Sequence, residues 1–176
     1  MNNLDVYLKS RHDFVNQFQL LYTYKQLGKV DEMESLLDEL YNDLKQEQLF
    51  LNAPCRKFVQ AVFDYKISVS GFKWTFEIEC INDEYYQKNL MISDSILYEI
   101  YKIFINHHLY CDDNVQILLR LTVEEEFVTL SISFDHVDVE AKEIYKMFSE
   151  YELEIISINE EQCELEFFIN INELEV

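Results

Sequence analysis

At 176 residues and 49% hydrophobic content, the chain can bury one ordinary core or two small ones. It carries 14 Lys+Arg against 34 Asp+Glu, a formal charge of −20. Such a surface repels nucleic acid and anionic membrane, which excludes binding driven by phosphate neutralisation.

The charge is uneven. Residues 1–30 hold Lys9, Arg11, Lys25 and Lys29 against Asp5 and Asp13, a local +2 that leaves −22 on the remainder. A mildly basic segment on an acidic chain is a plausible docking face for an acidic partner. Cys55, Cys80, Cys111 and Cys163 are widely spaced, with no C-x-x-C pair. Met1 to Ser10 shows no apolar leader core, and no apolar run reaches membrane-spanning length. Reduced thiols and a cytoplasmic location are expected.

In chain order, the first predicted helix runs from about Leu4 to Leu27. Leu4, Tyr7, Leu8, Phe14, Val15, Phe18, Leu21 and Tyr22 recur at helical spacing within an arc of roughly 140°. His12 falls about 40° outside that arc, in a polar strip with Asn16, Gln19 and Thr23. Arg11 lies near the middle of the arc, where its stem can be buried and its head hydrated. Gly28 suits the left-handed position that ends a helix. Asp31 and Glu34 have capping-box spacing for a second helix, whose stripe is Met33, Leu36, Leu37, Leu40, Leu44 and Leu51, with Tyr41.

The short connection makes the two helices antiparallel neighbours. Two wide apolar faces are completed either by a second copy of the hairpin, giving a four-helix bundle, or by packing on the C-terminal half. The stripe widths favour the homodimer. Leu49–Pro54 is the boundary candidate, dividing a hairpin over 1–51 from a second domain over 52–176.

Beyond it, Asn52-Ala53-Pro54 predicts a helix start with Pro54 in the first turn, and the helix runs to about Ser68. Residues 72–80 alternate as a strand. Ser93-Asp94 reads as the cap of a helix over 95–110. Strands over 115–123 and 127–135 flank the acidic turn Glu124-Glu125-Glu126. A helix over 139–151 and strands over 152–159 and 163–172 complete the chain. This α+β order predicts a two-layer sandwich, with helices on one face of a mixed sheet. His107, His108 and Cys111 offer no fourth ligand, so they are read as structural, and no metal site is expected.

The run Arg11-His12-Asp13-Phe14-Val15-Asn16-Gln17-Phe18-Gln19-Leu20-Leu21, a second helix, then Asn52-Ala53-Pro54, resembles the hairpin of the sporulation initiation phosphotransferase B family. It is also similar to the H-D-x-x-N-x-x-Q hairpin of citrate-type sensor histidine kinases, at His12, Asp13, Asn16 and Gln19. The element order after residue 54 resembles a histidine-kinase ATP-binding domain. The resemblance implies a homodimeric bacterial phosphorelay protein, with His12 carrying phosphoryl groups between response-regulator aspartates and Asp13 as its acidic neighbour. It implies receiver docking along Lys9, Arg11, Asn16 and Gln19, with Mg2+ supplied by the receiver and no cofactor of the chain's own.

A kinase of this class carries D-x-G-x-G after the central strand. Here that segment reads Asp135-His136-Val137-Asp138-Val139, with valine at both glycine positions. The chain's two glycines, Gly28 and Gly71, are not placed for a phosphate loop. Asn106 stands alone as a candidate for the kinase asparagine. Nucleotide binding and autophosphorylation are therefore not expected. The alternative is a non-enzymatic dimeric interaction protein, derived from such a phosphotransferase, that binds a response regulator or a kinase.

Overall fold

The computed structural model describes residues 3–69, 72–110 and 115–174, with side chains from Phe14 onward. The chain divides into two compact units, 1–45 and 46–176.

The first unit holds α1 (Asn3–Gln26) and most of α2 (Val30–Leu51). A Schellman motif ends α1. Gly28 takes φ +68°, the Lys29 N–H donates to Tyr24 O at 3.0 Å, and the Gly28 N–H donates to Lys25 O at 3.2 Å. The expected Asp31–Glu34 capping box is not used. The Met33 N–H bonds to Lys29 O, so α2 starts directly after the turn. Asp31 and Glu32 then occupy its first turn, where carboxylates oppose the helix dipole. Backbone hydrogen bonding there, together with Lys29 at 3.1 Å, lowers the Glu32 pKa.

The second unit begins inside α2. Phe50 is fully buried among Phe58, Phe63 and Phe76, with centroids 5.7, 6.3 and 4.6 Å away. Glu47 pairs with Lys66 at 2.6 Å, and Gln46 Oε1 accepts the outward Ile78 N–H of an edge strand. The last turn of α2 is therefore core material of the second unit.

That unit comprises α3 (Arg56–Ser68), β1 (Lys73–Cys80), α4 (Asp83–His107), β2 (Gln116–Val123), β3 (Phe127–Asp135), α5 (Ala141–Met147), β4 (Glu152–Ile158), β5 (Gln162–Asn170) and α6 (Ile171–Leu174). The sheet order is β1-β2-β3-β5-β4, with β1 and β2 parallel and the other pairs antiparallel. Period-two alternation buries Ile117, Leu119, Leu121 and Val123 of β2, Val128, Leu130, Ile132 and Phe134 of β3, and Cys163, Leu165, Phe167 and Ile169 of β5. The opposite face carries a cross-strand polar row, Glu77–Arg120–Ser131–Glu166–Glu154. Arg120 bonds Glu77 at 2.6 Å, and this bond, with burial opposing it, raises the guanidinium pKa. The expected α+β class is the observed one.

Two helix starts differ from expectation for one reason. α4 begins at Asp83, capped by Asn82, whose Oδ1 accepts the Glu84 N–H at 3.1 Å. Ser93-Asp94 lies mid-helix. The Ser93 hydroxyl donates to Asn89 O at 2.7 Å. Asp94 instead caps α3 from across the interior, accepting the Lys57 and Phe58 N–H groups at 3.0 and 2.8 Å. With that cap supplied, α3 starts at Arg56 and Pro54 stays outside the helix. The C-terminal end of α4 also stops short of Tyr110, at a left-handed His108 with φ 46°.

Candidate functional site

The backbone of α1 is continuously helical through Lys9, Arg11, His12 and Asp13, whose side chains lie outside the described residues, as does Cys111. At 100° per residue, His12, Asn16, Gln19 and Thr23 fall within an arc of about 60°. The described members of that strip, Asn16, Gln19 and Thr23, are exposed. The Thr23 hydroxyl donates to Gln19 O at 2.8 Å, turned back onto its own helix.

Among the described residues 14–45, none is buried. Leu21, Tyr24, Met33, Leu36 and Leu40 are half-buried. Beside them lies an uncovered apolar stripe. Phe14 and Phe18 are each 55% exposed with rings 4.7 Å apart, and Val15 and Tyr22 continue it. Leu37, Tyr41 and Leu44 form its counterpart on α2. Leu20 and Leu27 are also exposed, on the face opposite that stripe. Both lie outside the single apolar arc that marks α1 in the sequence.

The segment after β3 is closed by its own bonds. Asp135 Oδ1 accepts the Gln116 N–H at 2.7 Å. Val137 pairs in an isolated bridge with Tyr110, and the Asp138 N–H donates to Leu109 O at 3.0 Å. Val137 and Val139 pack against the core. Valine side chains therefore occupy the two positions where a phosphate loop needs backbone free to approach its ligand. His136, at φ 56°, sits in the turn beside Asp135. Asn106 is exposed in the last turn of α4. Asn89 of that helix is buried, and its amide donates to Glu124 O and Glu125 O at 2.7 and 3.1 Å. It ties down the β2–β3 turn.

Among the described residues, no three His, Cys, Asp or Glu side chains are grouped to hold a metal ion. No described helix is long and apolar enough to cross a membrane.

Residues 2–53 match the model of the alpha-helical domain of SpoOB-type sensor kinases. No curated protein matches the chain in sequence. In three dimensions it is similar to the blue-light activated histidine kinase of Erythrobacter litoralis, at 10% identity and TM-score 0.44, over 99% of this chain and 62% of that one. It is also similar to histidine kinase AdeS of Acinetobacter baumannii, at 13% identity and TM-score 0.41, over 92% of this chain and 98% of that one. A third similar structure is histidine kinase ThkA in complex with response regulator TrrA, at 13% identity and TM-score 0.38, over 94% of this chain and 61% of that one. The family match thus covers the N-terminal helical region alone, residues 2–53.

Proposed function

We propose that the chain is a protein-histidine phosphotransferase, relaying phosphoryl groups between response-regulator aspartates through His12 without binding ATP. The observation that carries the reading is that His12, one of four histidines in the chain, is the sole histidine of the matched domain. It stands on a continuous helix, in line with exposed polar residues one, two and three turns on.

A neutral imidazole nitrogen attacks the phosphorus of a receiver's aspartyl phosphate. The acyl P–O bond breaks, the carboxylate leaves, and an N–P bond forms; the reverse step loads a second receiver. Imidazole titrates near neutrality, so the nucleophilic form is available. Alignment and charge compensation dominate such transfers, and Mg2+ held by the receiver's own carboxylates supplies the latter. Asp13 is the acidic neighbour, and Lys9, Arg11, Asn16 and Gln19 frame the approach.

Two further features support the reading. The uncovered stripes on α1 and α2 suit pairing with a second hairpin, as a homodimeric four-helix bundle that leaves the His12 strip outside. The self-bonded segment over 135–139 disfavours a nucleotide as phosphate source. The test is incubation with phosphorylated receivers of the source organism. The expected result is acid-labile, base-stable label on the wild-type chain, absent in His12→Ala with its dimer intact. Label that persists in His12→Ala would contradict the assignment. A wild-type dimer that binds a receiver and takes no label would favour the non-enzymatic interaction protein.

A further inference from the structure

We infer that the core between α3, α4 and β1 is a binding site for internal water, which joins the Tyr101 hydroxyl and the Trp74 indole to the hydroxyl pair of Tyr65 and Tyr110. Tyr65 lies in the last turn of α3, Trp74 in β1, Tyr101 in α4 and Tyr110 just beyond α4. Tyr101 is fully buried, with Phe58 edge-on at 5.7 Å and Phe104 at 6.3 Å. Trp74 meets the Tyr65 ring edge-on at 6.2 Å. The Tyr65 and Tyr110 hydroxyls lie 2.6 Å apart and bond to each other. Their phenols also act on Tyr101 electrostatically, adding to the burial that raises its pKa.

Among the described residues, the Tyr101 hydroxyl and the Trp74 Nε1–H are buried and have no hydrogen-bond partner. A buried polar group in that position loses its hydration and regains nothing. An indole only donates, whereas a phenol both donates and accepts. The Tyr65–Tyr110 bond uses one of that pair's two protons and leaves phenol lone pairs open. A ligand that satisfies the cluster must therefore accept from an indole and a phenol, and donate to phenol oxygens. Water does both, and one molecule suits a place where about two to four polar partners converge. A cation would meet N–H and O–H protons there. An anion would need a compensating charge that these neutral side chains lack.

Water bound there reaches beyond the cluster through Tyr110. The Tyr110 backbone bridges Val137, and Leu109 O accepts the Asp138 N–H at 3.0 Å. A hydrated tyrosine cluster therefore ties α3 and α4 to the segment over 135–139, where valines stand in place of the glycines of a phosphate loop. Side-chain hydroxyls and one water hold that segment from the core side, in addition to its own backbone bonds.

The test is a crystal structure of the full wild-type chain at a resolution that shows ordered solvent, with Tyr101→Phe compared in solution. A water within about 3.2 Å of the Tyr101 hydroxyl oxygen is expected. Tyr101→Phe keeps the ring and takes one partner from the water. It is expected to lower the urea midpoint and to speed amide hydrogen exchange at Asp138. A Tyr101 hydroxyl with no water beside it would overturn the site. So would a urea midpoint raised by Tyr101→Phe, since deleting a group that has no partner relieves its desolvation. Unchanged exchange at Asp138 would overturn the tie to the 135–139 segment.

Discussion

Asp94 illustrates what a local motif leaves open. Read along the chain, Ser93-Asp94 is a helix cap. In the structure its carboxylate caps α3, 36 and 37 residues away in sequence. Both roles use the same chemistry, a short-chain carboxylate accepting free N–H groups, and only tertiary contact decides which helix receives it. Removing it orphans two N–H groups at the start of α3. Asp94→Ala is expected to cost about 1–2 kcal/mol, read as a lowered denaturation midpoint, with Asp94→Asn recovering part of the loss. A midpoint equal to wild type would contradict the capping role. The valines at 137 and 139 were legible, because a missing glycine is visible in sequence. The bridge that Val137 makes to Tyr110 was not, since it depends on where α4 ends.

At the scale of elements, strands were easier to read than helix ends. β3 spans Phe127–Asp135 as its alternation indicates, because a two-residue period with one buried face leaves little freedom in register. Helix starts shifted by up to a dozen residues, because α4 takes its cap from Asn82 just ahead of it and leaves Asp94 free to cap α3. α6 has no signature in the sequence, four residues being too few for a helical period to show. In the hairpin, periodicity identified the apolar stripes but not how they divide. Leu21, Tyr24, Met33, Leu36 and Leu40 are half-buried, whereas Phe14, Phe18, Leu37 and Leu44 remain uncovered. An uncovered stripe of that width suits the proposed pairing of two hairpins. Phe18→Asp places a charge in the middle of the uncovered stripe. It is expected to convert a dimer to a monomer in size-exclusion chromatography with light scattering, leaving the sandwich folded by near-ultraviolet circular dichroism. A variant that keeps the dimer mass would show that the stripe pairs with something else.

Across the whole molecule, the second unit buries thiols and phenols that an alkaline solution must ionise. Burial, with Asp94 adding to it, pushes the Cys55 thiol up to about 12. Burial, then Glu164, pushes Cys163 up to about 12 as well. Burial also raises Tyr101, and burial followed by the 2.6 Å hydrogen bond to Tyr65 raises Tyr110. Between the ordinary thiol value of 9.0 and about 12, the folded state holds protons that the unfolded chain has released. Stability is therefore complete below about pH 9 and falls as pH rises towards 12. Urea midpoints measured from pH 7 to 11 should be flat at first and then decline. Substituting both buried cysteines by alanine should shallow the decline while lowering the neutral value. A flat profile to pH 11 would contradict the burial assignment.

The central claim is that phosphate reaches His12 from a receiver aspartate and from no nucleotide. Its most direct test runs two incubations side by side, one with labelled Mg-ATP and one with a labelled phospho-receiver, each followed by peptide mapping under alkaline conditions. The account predicts label in the peptide containing His12 in the second incubation and none in the first. Label from Mg-ATP on the isolated chain, or receiver-derived label on any residue other than His12, would contradict it.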